Sequence, residues 1–133
     1  MARMPVMFIG HGSPLTLEQP QRLLEWQQWG TNLPRPQAIL VISAHWETRP
    51  LMIGTAQTAP LIYDFYGFPE AYYQLNYPAP GVSALASRVR QQLLQAGIAF
   101  GEQPERGWDH GVWIPLLGLY PQADIPVLQI SLP

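Results

Sequence analysis

The sequence predicts an α/β fold, a mostly parallel sheet flanked by helices, in a domain that these residues leave incomplete. Three observations carry that expectation. Strand-like apolar runs alternate with stretches of helical periodicity, the pattern of a sheet with helical crossovers. One run, Ala38-Ile39-Leu40-Val41-Ile42, is continuously apolar and rich in β-branched residues, as befits a parallel strand buried on both faces. Charged residues are only 12% of the chain, about half the usual share. Together with a bare apolar ending, Ile125 to Pro133, this points to surface covered by another chain or by further sequence.

Taken in order, Pro5-Val6-Met7-Phe8-Ile9 reads as a short buried strand running into Gly10-His11-Gly12-Ser13-Pro14. Glu18 to Trp29 reads as a helix, with Leu23, Leu24 and Trp26 as its apolar side and Gly30 as its stop. Pro34-Arg35-Pro36 breaks the chain before the Ala38–Ile42 strand, which ends in Ser43-Ala44-His45-Trp46. Pro50 to Thr55 is expected to form a strand nearer an edge. Thr58 to Gly81 is a long loop rich in aromatics, proline and glycine, either packing its own rings or walling a pocket for a flat substrate. Ser83 fits a helix N-cap, with Leu85, Val89 and Leu93 at helical spacing and Gly97 as the stop. A short strand over Ile98 to Gly101 precedes Gly107-Trp108-Asp109-His110-Gly111, a second glycine-flanked histidine turn. A helix with Pro115 among its early residues follows, then a last strand over Ile125 to Ile130. Without repeats or linker-like stretches, residues 1–133 read as a single α/β unit.

A net charge of -2 gives no electrostatic case for nucleic acid or an anionic membrane. With no cysteine, disulfides and thiolate metal sites are excluded. No apolar run has the length of a transmembrane helix, and the N-terminus lacks signal-peptide features, so cytoplasmic residence is the expectation.

The three histidines, His11, His45 and His110, each lie in a turn beside small residues. Ligands of parallel sheets lie outside the carboxyl ends of strands, where His11 and His45 are expected. Imidazole is the commonest metal ligand and the best acid or base near neutrality. His11 and His45 can therefore chelate one divalent ion, or His11 can merely cap the following helix. His110 is a third ligand or a proton carrier, and Asp64 and Asp109 are carboxylate candidates.

Several segments together resemble the DODA-type extradiol aromatic ring-opening dioxygenases, the 4,5-DOPA dioxygenase family related to the catalytic subunit of protocatechuate 4,5-dioxygenase. They are Gly10-His11-Gly12-Ser13-Pro14, Pro34 to Ile39 leading to Ser43-Ala44-His45-Trp46, Asp64-Phe65-Tyr66-Gly67-Phe68-Pro69, Tyr77-Pro78-Ala79-Pro80-Gly81, Asp109-His110-Gly111 and Ala123 to Val127. They occur in family order and make up about the N-terminal half of a typical member. The resemblance implies a non-haem metal enzyme that opens a catechol ring beside its hydroxyls and inserts both atoms of dioxygen. It makes His11 and His45 metal ligands, His110 the catalytic histidine near substrate or oxygen, and Ser13, Asp64, Phe65 and Asp109 substrate-binding positions. The implied cofactor is one divalent ion, Fe(II) for oxygenation or Zn(II) in the same imidazoles without redox chemistry. A further ligand and the acid/base of the family belong to the other half, so weak or no activity is expected of these residues alone. The implied partners are a small catechol and dioxygen, with a homo-oligomer or a C-terminal half completing the unit. Two other readings are a small tetrapyrrole metal chelatase, which shares a His-Gly-Ser turn after its first strand, and a non-catalytic metal-binding or partner domain.

Overall fold

A computed structural model describes residues 3–133. A 3-10 turn (Pro14–Glu18) leads into α1 (Pro20–Asn32), then β1 (Ile39–Glu47), β2 (Leu51–Gly54), a second 3-10 turn (Glu70–Gln74), α2 (Ser83–Gln95), β3 (Phe100–Gln103), α3 (His110–Leu119) and β4 (Val127–Leu132). The strands form one sheet in the order β1-β4-β2-β3. β1 is parallel to β4 and β2 to β3, while β2 and β4 are antiparallel. The expected α/β class and mostly parallel sheet are therefore present.

α1 and α3 cover one face. α3 is buried along nearly its whole length, Val112, Trp113, Ile114, Leu116 and Leu119 all lying in the core. Each such aliphatic side chain contributes roughly 2 kcal/mol when removed from water. The loop between β2 and α2 adds Phe65, Tyr72, Tyr77 and Ala79 to the same core. It is pinned by bridges of Thr58 with Pro80 and Leu61 with Trp108, and by the Tyr77 hydroxyl donating to the Tyr120 carbonyl at 2.8 Å. Its aromatics are thus structural, and Phe65 also edges a histidine of the candidate site. α2 covers the other face through Leu85, Ala86, Val89 and Leu93 against Ile53, Leu128 and Ile130. It ends as expected at Gly97, whose φ of +69° accompanies Gly97 N–H and Ile98 N–H donating back to Leu94 and Leu93.

Several sequence expectations are corrected. Pro5–Ile9 is not a buried strand: it lies in no ladder, and Val6 and Phe8 are fully exposed. Met4 shares a groove with Ala38 and Leu40, and His11 meets His45, so this segment runs beside β1 without pairing to it. Nor is β1 buried on both faces. α2 sits over β2, β3 and β4, which leaves Leu40 and Ile42 of the edge strand exposed. A groove lined by Met4, Ala38, Leu40, Val82 and Leu85 opens beside this strand and includes none of the histidines. β2 is interior, between β4 and β3, because the chain reverses after β1 and crosses beyond β4. Gly30 does not stop α1. It lies inside the helix, where a Cβ would come 2.1 Å from the Leu119 carbonyl oxygen, and so permits close packing on α3. Ser83 is the first residue of α2 rather than its cap; Val82 holds that position without a side-chain bond. Pro115 falls mid-helix because α3 already begins at His110.

Candidate metal centre

The register of β1 against β4 breaks where the site begins. Ile42 faces Ile130 and Glu47 faces Leu132, so β1 advances from 42 to 47 while β4 advances only from 130 to 132. The surplus residues include Ser43 and His45, and such irregularities re-aim side chains beside functional sites. His45 is exposed there, its backbone N–H donating to Ser43 Oγ at 3.2 Å.

His11 reaches the same place from a separate segment. Its carbonyl accepts from the buried Thr16 hydroxyl at 2.7 Å. The chain then turns through Gly12, at a φ of +68° that favours glycine. Ser13 Oγ accepts from the Leu15 amide at 3.2 Å and caps the first 3-10 turn. That bond anchors the turn carrying His11.

His110 opens α3 and is buried. Its backbone N–H donates to Asp64 Oδ1 at 3.0 Å. The same oxygen lies 2.9 Å from His110 Nδ1 but off the line of the ring N–H, making that contact electrostatic rather than a directed hydrogen bond. Phe65 meets the His110 ring edge-on, with centroids 5.9 Å apart.

The three imidazoles converge. Ring centroids are 5.1 Å apart for His11 and His45, 4.9 Å for His11 and His110, and 4.2 Å for His45 and His110. One nitrogen from each lies within 4.8 Å of the others, and the Nε2 atoms of His11 and His45 are 3.0 Å apart. Two nitrogens bonded to one ion at about 2.1 Å stand about 3.0 Å apart at a right angle and about 3.4 Å apart in a tetrahedron, so the donor set fits a divalent ion. Burial first, and then the neighbouring His110 and His45, hold His11 below the ordinary imidazole range. That favours the neutral form a metal requires. For Asp64, burial pushes the carboxyl up, but the hydrogen bond from the His110 backbone N–H together with the adjacent imidazole outweighs it and the net shift is downward. Asp64 is therefore ionised beside His110 at neutral pH.

Asp109 is held inward. It is 1% exposed. Its Oδ1 accepts from Ser43 Oγ at 2.6 Å and Gly111 N–H at 2.9 Å, and its Oδ2 from Arg106 at 3.2 Å. The structure thus brings His11, His45, His110, Asp64 and Phe65 together, and sets Ser13 and Asp109 in the supporting backbone. Sequence reasoning missed Ser43, Thr16 and Arg106. Ser43 alone carried a signal, since it stands two residues before His45 and so on the same side of a regular strand.

Comparison with known proteins adds an independent line. The family described as the catalytic LigB subunit of aromatic ring-opening dioxygenase matches residues 7–133. A 4,5-DOPA dioxygenase extradiol of Escherichia coli (strain K12) is 47% identical over 131 residues, 98% of this chain and 48% of the relative. One of Beta vulgaris is 42% identical over 129 residues, 93% of this chain and 48% of the relative. The crystal structure of an uncharacterized protein from Escherichia coli K12 superposes with a TM-score of 0.65 at 42% identity, covering 84% of this chain and 40% of that one. The chain spans about half the length of the curated relatives it matches.

Proposed function

This chain belongs to the family of the catalytic LigB subunit of aromatic ring-opening dioxygenases, and on that premise we propose that it carries the metal-binding part of a site for extradiol cleavage of a DOPA-like catechol. The observation that carries the reading is the meeting of His11, His45 and His110 from three separate segments, with nitrogens within 4.8 Å of one another. A tetrapyrrole chelatase reading would use the His11 turn but leave His45 and His110 without a role.

In this reading His11 and His45 hold one divalent ion, and His110 is the catalytic histidine. Bound Fe(II) supplies the one-electron chemistry that lets a singlet catechol react with triplet dioxygen; Zn(II) fits the same imidazoles and lacks that chemistry. The Asp64 carboxylate beside Nδ1 of His110 favours the tautomer protonated there, leaving Nε2 to accept a proton from a catechol hydroxyl. Phe65, edge-on to His110, offers an apolar wall for a flat ring. Ser13 serves the substrate side indirectly, by fixing the turn that carries His11.

The relatives are matched over only about half their length, so further groups for ring opening are expected from a partner copy or from sequence like their unmatched half. The test is anaerobic loading with Fe(II), addition of DOPA or a simpler catechol, and admission of oxygen. Metal-dependent catechol binding with slow or no appearance of a yellow ring-opened product is expected. Catechol binding indifferent to metal would overturn the reading, and rapid turnover would overturn its partial character.

A further inference from the structure

Asp109, Ser43 and Arg106 form a buried connection between the two elements that present His45 and His110. Ser43 is 4% exposed and lies on the irregular part of β1; Asp109 caps α3 immediately before His110. The Ser43 hydroxyl gives its single proton to Asp109 Oδ1 at 2.6 Å, and its lone pair then receives the His45 backbone N–H at 3.2 Å. The same carboxylate oxygen takes the Gly111 N–H at 2.9 Å, and Oδ2 takes Arg106 at 3.2 Å. Arg106 is itself held over the Trp46 ring, 4.7 Å from its centroid. One carboxylate therefore binds the backbone on the far side of His110, the hydroxyl beneath His45, and a cation stacked on the residue after His45.

The start of α3 also packs directly against the side chains of Ser43 and His45. A Cβ on Gly111 would come 2.5 Å from Ser43 Oγ and 2.9 Å from the His45 ring. The helix start and the strand bulge are thus packed with no slack, and charge-assisted bonds to a buried carboxylate are short and directional. Burying that charge is costly unless every partner is in place, so the connection has one favoured geometry. Groups behind metal-binding imidazoles set ligand orientation in this way.

We propose that Asp109 is a positioning residue which, through Ser43 and Arg106, fixes the spacing of His45 and His110. This rests on the reading of the three histidines as the functional centre, and it reassigns Asp109 from contact with substrate to support beneath the site. The test uses Asp109→Asn, which keeps a side chain able to cap α3, and Ser43→Ala, alone and combined. Ile53→Val serves as a control in the second core, which contains none of the three histidines, Ser43, Arg106 or Asp109. Two readouts are taken: the imidazole carbon-proton resonances of the three histidines in metal-free protein, and the zinc dissociation constant.

Both single variants are expected to shift or broaden the His45 and His110 resonances and to weaken zinc binding about tenfold or more. The double variant should be no weaker than the weaker single, because both changes break one connection. Ile53→Val should leave both readouts at wild-type values. Unchanged resonances in both single variants, or equal changes in Ile53→Val, would overturn the proposal, as would shifted resonances with undiminished zinc affinity. If the wild-type chain bound no zinc, the metal-site reading would fail, and the resonances alone would still decide the role of Asp109.

Discussion

His110 and His11 enter the cluster under different restraints, and that difference makes their replacement distinguishable. His110 is buried, with Asp64 on its Nδ1 side and on its backbone amide. His110→Asn should retain metal within about tenfold while abolishing metal-dependent deprotonation of a bound catechol, followed by ultraviolet absorbance. Asp64→Asn should give a milder loss of the same signal by removing the charge that sets the tautomer. If His110→Asn instead released the metal, His110 would be a ligand rather than the proton acceptor. The candidate site was legible at this scale because glycine-flanked histidines have few structural uses. The sequence left the third imidazole's position open, since His110 owes its place to α3 docking against β1 across 66 residues of separation between Ser43 and Asp109. No local pattern encodes such a contact.

At the scale of elements, the close approaches of α3 are the most exposed to change. A Cβ at Gly30 would lie 2.1 Å from the Leu119 carbonyl oxygen, and one at Gly118 would lie 2.6 Å from the Trp26 ring. Neither has a favourable escape, because the first obstacle is backbone and the second a buried indole. Gly30→Ala should destabilise by about 1–3 kcal/mol, read as a lower urea midpoint with unchanged slope, even though alanine is the better helix former. A neutral or stabilising result would mean that α1 and α3 are not so closely apposed. Trp113, fully buried against the loop aromatics Tyr63 and Phe65, should cost about 3–5 kcal/mol as alanine. Element types were largely readable from period and punctuation. The exceptions share one cause: local propensity makes Gly30 look like a stop, and hydrophobicity makes Pro5–Ile9 look like a strand, whereas packing and pairing partners decide both.

Across the whole molecule, coverage of the sheet is uneven. α1 and α3 fill one face, α2 fills only part of the other, and Val6, Phe8, Leu40 and Ile42 stay exposed beside the edge strand. The low charge content anticipated such a surface, although nothing in the sequence said which residues would form it. Polar replacements at Val6 or Phe8 should change stability by less than about 0.5 kcal/mol, in contrast to the buried positions above, and a large loss would show that this segment is packed in solution. Among the described residues no helix is long and apolar enough to cross a membrane. The three histidines lie where the first segment, β1 and α3 meet, so metal binding should tie together parts of the chain distant in sequence. A metal at a hundredfold excess over its Kd would add about 2.7 kcal/mol of stability.

The most direct measurement is metal content after equilibrium dialysis against Zn(II), performed in parallel on the wild-type chain, His11→Ala and His45→Ala. One ion per wild-type chain and essentially none in either variant is the expected result. Equal metal contents in all three proteins, or no metal in the wild type, would contradict a centre built on His11 and His45.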